Sequence, residues 1–288
     1  MMKVWPILAL ALSFPLCSFA AGPVVTDPGY SVTSRIDWPA GSISVEVTHD
    51  LDPSTASLLR AKADAETDID ARLPDFLARV ISPVQVDSSH TFADLLQADA
   101  GLFARVSDLA LGARRTGLFL SADFSALVAR YTVPLFGDQG IASPLFPSHE
   151  APFRRTIGDV TTRKYTGLVI FARGALPAAG APRDLVARPA VFPRIWDEQM
   201  NLVLDRGMCS PDALAKWGMV GYTQRLDDAT AELRVGALPL RLSARGVFGS
   251  TPTDLIISTD GARQLLALPE NVALLREGRV VIIYENLN

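Results

Sequence analysis

Along residues 42–51, SISVEVTHDL, apolar and polar side chains alternate, with Ile43, Val45 and Val47 on one face and Ser44, Glu46 and Thr48 on the other. A period of two sets one face on a core and the other toward water, so this stretch predicts a half-buried strand. The period then changes. Leu59, Ala63, Ile69, Leu73, Phe76, Leu77 and Val80 recur at helical spacing between Ser54 and about Ile81. Asp52-Pro53-Ser54 in front of them offers an N-cap acid and a proline for the first turn. Pro74 falls inside the pattern and should kink or split the helix, since it has no N–H to give. SPVQVDSS interrupts the periodicity. Phe92, Leu95, Leu96, Phe103, Val106, Leu109 and Ala110 predict a second helix, weakened at Gly101 and ended by Gly112. Residues 115–137 return to strand chemistry, long enough for two strands with a bend near Ser121 to Asp123.

The second half repeats this grammar without repeating the sequence. Residues 137–163 are rich in turn formers. An apolar strand follows at 165–173, then an Ala/Pro/Gly loop at 174–189 and a short strand at 201–205. Ser210-Pro211-Asp212 opens a short helix that runs to Trp217 and is closed by Gly218. Residues 238–245 alternate strictly, 253–258 form another strand, and a helix from Asp260 to about Leu275 is expected to break at Pro269. GRVVIIYE, 278–285, is almost continuously apolar, as a central strand covered on both faces would be. The fold class is therefore α+β, in two units of strands and helices. The expected organisation is a signal peptide at 1–20, an extended leader at 21–40 whose Trp38 docks on the first unit, an N-terminal unit at 41–136, a linker or long loop at 137–163, and a C-terminal unit at 164–288.

Composition narrows the setting. Lys3 precedes an apolar run ending in Ser18-Phe19-Ala20, the pattern of a secretory signal peptide cut near Ala20. Leu16 directly before Cys17 is too bulky for the lipoprotein pathway, so Cys17 is not expected to carry lipid. The chain after the cut holds 26 basic and 31 acidic residues and no basic block, which argues against nucleic-acid binding. Its one cysteine, Cys209, rules out an internal disulfide, so the core must carry the stability. No stretch of it is apolar for the length needed to cross a bilayer as a helix. A periplasmic location is expected.

Catalytic signatures are missing. The chain has no Cys-x-x-Cys, no His-Glu-x-x-His, no P-loop, no dinucleotide fingerprint and no Gly-x-Ser-x-Gly elbow, so no cofactor and no metal are expected. Only His49, His90 and His149 are present to act as a base. DSSH at 87–90 is the most catalytic-looking fragment, but Asp87 and its serines also suit a helix cap. A hydrolase built on His90 or His49 is the weakest functional reading. Asp64, Glu66, Asp68 and Asp70 lack the glycine bend of a calcium loop and read as a solvated helix face. Cys209 precedes a helix start, yet no histidine lies in the second half of the chain to activate it.

The remaining candidate is PAVFPRIWDE at 189–198, after the strand ending in Arg173-Gly174. Arg173, Arg194, Asp197 and Glu198 with Phe192, Ile195 and Trp196 would make a charged, aromatic-lined pocket for an anionic group, the basis of a periplasmic ligand- or peptide-binding module. Pro189 and Pro193 equally make a structural corner with the aromatics packed beneath. Both readings stand on the sequence.

YTGLVIFARG, PAVFPRIWDE, GMVGYT, RVGALPLRLSARGVFGSTPTDLIISTDGARQLL and GRVVII resemble the FlgP-type flagellar assembly family, with TVPLFGDQGI at 132–141 extending the likeness backwards. Thr166, Gly167, Ala172, Arg173, Gly174, Pro193, Ile195, Asp197 and Glu198 carry it. The resemblance implies exported bacterial proteins related to small outer-membrane lipoproteins, with strand–helix–strand–strand (SHS2-like) units built on small, mostly antiparallel sheets. It also implies rings or disks around the flagellar motor. The expected function is then a non-enzymatic envelope assembly protein, whose partners are itself and other envelope or flagellar motor proteins. The corner residues Arg173, Phe192, Arg194, Trp196, Asp197 and Glu198 become interface anchors, and the strand region 115–136 offers an edge for pairing. This chain departs from the family in lacking the lipid-bearing cysteine and in the length of its helices between 30 and 115.

Overall fold

The computed structural model describes residues 25–52, 54, 55, 57–154, 160–225 and 227–285. The expected signal peptide, with Cys17, lies outside the described residues. The first unit comprises β1 (Val25–Asp27), β2 (Tyr30–Asp37), β3 (Ser42–Asp50), α1 (Leu58–Ile81), α2 (Phe92–Ala98), α3 (Ala100–Leu111), β4 (Arg114–Leu120) and β5 (Ala126–Pro134). Its strands form one antiparallel sheet in the order β1-β2-β3-β5-β4. Alternation sends Val32, Val45, Val47, Ala129, Tyr131 and Val133 to one face. There α1 covers them with Ala65, Ile69, Leu73, Phe76 and Leu77.

Three expectations for this unit change. Most of the supposed leader is sheet: β2 pairs along its whole length with β3, and β1 pairs with β2. Its alternation is masked in the sequence by Ser34, a buried polar residue in the inward row. Helix α1 starts at Leu58, not Ser54, because Asp52 Oδ1 accepts the Ser54 N–H at 2.8 Å and its hydroxyl at 2.7 Å, holding a turn there. Helix α1 continues through Pro74 to Ile81, and it is the second expected helix that breaks, at Asp99 between α2 and α3. That carboxylate accepts the N–H groups of Gly101 and Leu102 and so caps a new helix.

The second unit contains β6 (Leu168–Ala172), β7 (Ala175–Leu176), β8 (Leu185–Val186), β9 (Ile195–Asp197), β10 (Leu202–Leu204), α4 (Pro211–Trp217), β11 (Gly221–Thr223), α5 (Ala229–Val235), β12 (Leu240–Ser243), β13 (Gly246–Phe248), β14 (Asp254–Ile257), α6 (Thr259–Leu266), α7 (Pro269–Arg276) and β15 (Val280–Tyr284). The expected breaks before Pro269 and after Trp217 are present. The architecture is α+β, but the sheets here are not mostly antiparallel. One runs β11-β15-β6-β12 with every pair parallel. The other runs β10-β9-β14-β13, with β14 parallel to β9.

The physical reason lies in β6 and β15. Both are apolar on both faces and almost wholly buried, which suits parallel strands roofed on two sides. Val169, Val281 and Ile283 meet Val235 and Ala231 of α5 on one side. Leu168, Ile170, Val280 and Ile282 join the main core on the other. That core is continuous from Val32 and Phe76 of the first unit to Leu255 and Ile282 of the second.

Because the two units share one core, unfolding should be a single event. Far-ultraviolet circular dichroism and tryptophan fluorescence are expected to give coincident denaturant curves. Ile170→Ala empties a fully buried site in β6. It should lower stability by about 3 kcal/mol in both probes alike.

Candidate functional site

After α1 the chain turns into the second unit. The Val191 N–H donates to the Gln85 carbonyl at 3.0 Å and the Phe192 N–H to the Val86 carbonyl at 2.7 Å. The Ser88 carbonyl accepts the Thr251 N–H at 3.0 Å and the Ser250 hydroxyl at 2.7 Å. The Ser88 hydroxyl donates to Asp254 Oδ2 at 3.1 Å. Trp196 Nε1–H donates to the same oxygen at 3.2 Å, and the Arg194 N–H to Oδ1 at 3.1 Å. Asp254 is fully buried, and that burial raises its pKa. The approach is so close that a Cβ on Gly249 would lie 2.3 Å from that of Ser88, and its φ of +107° also suits glycine alone.

The PAVFPRIWDE corner is therefore an interface inside the chain. Phe192 is buried, in edge contact with Phe146. Arg194 pairs with Asp205 at 3.1 Å. Trp196 is half-buried against Phe248. Asp197 is buried and folds the β9–β10 turn by accepting the N–H groups of Gln199 and Asn201. Glu198 is exposed and accepts the Thr259 N–H at the start of α6. Arg173 belongs to the other sheet, where it donates to the Gln224 carbonyl. The pocket expected from Arg173, Phe192, Arg194 and Trp196 does not form. Phe192 and Asp197 are unavailable to an outside partner, because each satisfies a packing or turn requirement of its own chain.

The open site lies elsewhere on the same seam. A groove of about 780 Å³ separates Trp38, Pro39 and Phe136 of the first unit from Trp217, Tyr222 and Leu233 of the second. Trp38 stands edge-on to Tyr222, with ring centroids 5.5 Å apart, so it reaches across to the second unit. Leu233 is 81% exposed. Arg234 forms the base: its Nε, Nη1 and Nη2 donate to the carbonyls of Gly278, Trp217 and Gly218 at 2.7, 2.9 and 2.7 Å. Burial pushes its pKa down to about 9. Lys216, Arg234 and Arg279 place their cationic groups 4.2, 5.1 and 5.9 Å from the Trp217 ring centroid. Sequence reading missed this groove. Its residues are scattered from 37 to 281, and the one signal was a pair of tryptophans, Trp38 and Trp217.

The remaining candidates have structural partners. His49 stacks on Tyr30 at 4.0 Å and its Nδ1 donates to the Gly29 carbonyl at 2.8 Å. His90 Nδ1 lies 3.0 Å from Asp87, but the Ser88 hydroxyl points at Asp254, so these residues do not form a nucleophile–base pair. Asp87 shapes the turn, and Thr91 with Asp94 caps α2 instead. His149 is exposed. Among the described residues no three His, Cys, Asp or Glu side chains are grouped to hold a metal. Nor is any helix there long and apolar enough to cross a membrane.

These features define a two-unit α+β protein whose units are clasped by hydrogen bonds and flank an aromatic groove. Residues 29–140 match the family model described as the N-terminal domain of Treponema pallidum Tp0624. Residues 167–286 match the model of that protein's second domain. The chain is thus similar to two consecutive domains, in the same order and over the two units seen in the structure. No curated protein matches it.

Asp254→Ala takes the acceptor from three donors, one buried and two half-buried, and should cost about 3 kcal/mol in denaturant titrations. The folded pKa of Asp254 is raised above its unfolded value, so its contribution is full below about pH 4 and falls as pH rises through the folded pKa. The cost of the substitution should shrink in the same direction. Burial pushes the Cys209 thiol up to about 12, so native protein should resist a thiol reagent that titrates it fully once unfolded.

Proposed function

We propose that the chain is a non-enzymatic, exported cell-envelope assembly protein that associates with itself. The observation that carries this reading is the groove between the units. It presents Trp38, Trp217 and the outward Leu233 to solvent on a frame fixed by a shared core. Large aromatics with cations beside them are the usual anchors of protein contacts. The outer strand β4 is a poorer contact than the sequence implied. Arg114 and Arg115 are exposed there, and the register shifts between Arg115 and Gly117, two devices that discourage edge pairing. A place in a ring or disk around the flagellar motor, near the outer membrane, is the specific form of this proposal. It rests on the likeness of YTGLVIFARG and PAVFPRIWDE to the FlgP-type family.

Light scattering behind a size-exclusion column, on the chain from Ala21 onward across a wide concentration range, tests the reading. A discrete oligomer that grows with concentration is expected. A strict monomer at the highest concentration overturns self-association.

A further inference from the structure

The bottom of the groove is main chain. Strand β11 is an edge of the parallel sheet β11-β15-β6-β12. Parallel strands bond to their two neighbours through alternate residues. The Leu168 N–H donates to the Arg279 carbonyl, so Val281 and Ile283 of β15 bond to β6, and Val280, Ile282 and Tyr284 are left for β11. In the register Gly221↔Val281, Tyr222↔Ile282 and Thr223↔Ile283, it is Gly221 and Thr223 that then face β15. The N–H and C=O of Tyr222 point the other way, off the edge of the sheet. Among the described residues neither group is hydrogen-bonded.

That edge is recessed. The Tyr222 side chain lies on one face of the sheet, where its hydroxyl donates to the Ala190 carbonyl at 2.9 Å and its ring meets Trp38. Helix α5 covers the opposite face, with Ala231 and Val235 packed on Val281 and Ile283. The groove is the slot left between them along β11, with Trp38 and Phe136 on one side and Ala231 and Leu233 on the other. Val220 and Tyr222 at the bottom are 1% and 6% exposed, against 81% for Leu233 on the rim. The opposite edge of the same sheet is guarded: Pro239 precedes β12, and Arg241 stands exposed on it. Strand β11, Gly-Tyr-Thr, carries neither device.

An unpaired donor and acceptor at the bottom of a narrow apolar slot fit a single extended main chain. Charge does not select the occupant, since Lys216, Asp37 and Asp228 put both signs on the walls. A second copy does not suit the slot, because its own β11 is equally recessed and every described strand of this chain already lies in a sheet. We propose that the groove binds an extended apolar segment of another protein, which adds to β11 as a further strand and exchanges main-chain hydrogen bonds with Tyr222. Side chains of an added strand alternate between the faces of the sheet, so one meets Trp38 and Phe136 and the next meets Ala231 and Leu233. Both walls are apolar, so the segment is apolar at consecutive positions. The residue that meets the Tyr222 carbonyl is not proline, because it must donate an N–H. The inference rests on the groove being an assembly contact, as proposed above, and gives that contact a partner other than a copy of this chain.

The probe is a phage-displayed random heptapeptide library selected on the chain from Ala21 onward, with the selected peptide then synthesised and titrated by tryptophan fluorescence. A consensus of consecutive apolar residues is expected. Methylating the one peptide nitrogen that faces the Tyr222 carbonyl should weaken binding by about tenfold or more, while methylation of the nitrogens on either side, which point away from β11, is tolerated. Leu233→Glu, at an exposed rim position, should leave circular dichroism unchanged and weaken binding by a similar factor. If no peptide is enriched, or if every methylated peptide binds like its parent, strand addition is overturned. A consensus that matches a stretch of this chain makes the occupant a second copy and overturns the assignment to another protein. Light scattering separates this inference from the reading beneath it. A strict monomer that binds the peptide loses self-association and keeps the groove site, and an oligomer that selects no peptide does the reverse.

Discussion

A buried carboxylate ties the two units together at the seam where they share one core. Asp254 lies at the start of a central strand and takes hydrogen bonds from a serine of the first unit, an indole of the second and a main-chain N–H of the corner between them. Burying a charge without partners is prohibitive, and three convergent donors are what make this one tolerable. The requirement propagates. The 85–88 segment must lie flat against 191–192 to deliver Ser88, Gly249 must lack a side chain to let it, and the corner must bring the Arg194 main-chain N–H and the Trp196 indole to the two oxygens. The corner motif looks like a binding surface because it is one, filled by its own chain.

With the seam fixed, the groove beside it becomes a rigid feature. Trp38 and Phe136 reach across from one unit, and Phe136 packs so tightly on Gly218 that a Cβ there would lie 2.6 Å from the ring. The wall opposite is stiffened by Arg234, whose fork ties the turn after α4 to the turn before β15. A binding surface built this way needs little ordering when a partner arrives, so less of its contact energy is lost on association.

Much of the fold was legible. Strict alternation gave β3, and continuous apolarity gave β15. Capping residues gave α4 to the residue, and Pro269 divided α6 from α7. The misses share a cause. In β2 a buried serine breaks the inward row, and β11 and β13 are three residues long, so neither periodicity nor composition can act over their length. The candidate site was less legible than the fold. The corner was visible as an unusual cluster, but its own sequence gives no sign that residues a hundred positions earlier would cover it.

What the sequence determined by itself is local: the period of each segment and the caps that start and stop helices. These depend on neighbours within a few positions, where the backbone fixes distance. Tertiary structure decided whether strands run parallel, which aromatics are spent inside and which remain outside, and where charge gathers. Those outcomes depend on side chains such as Ser88 and Asp254, or Trp38 and Tyr222, that meet only when the chain has closed over a distance no local rule sets.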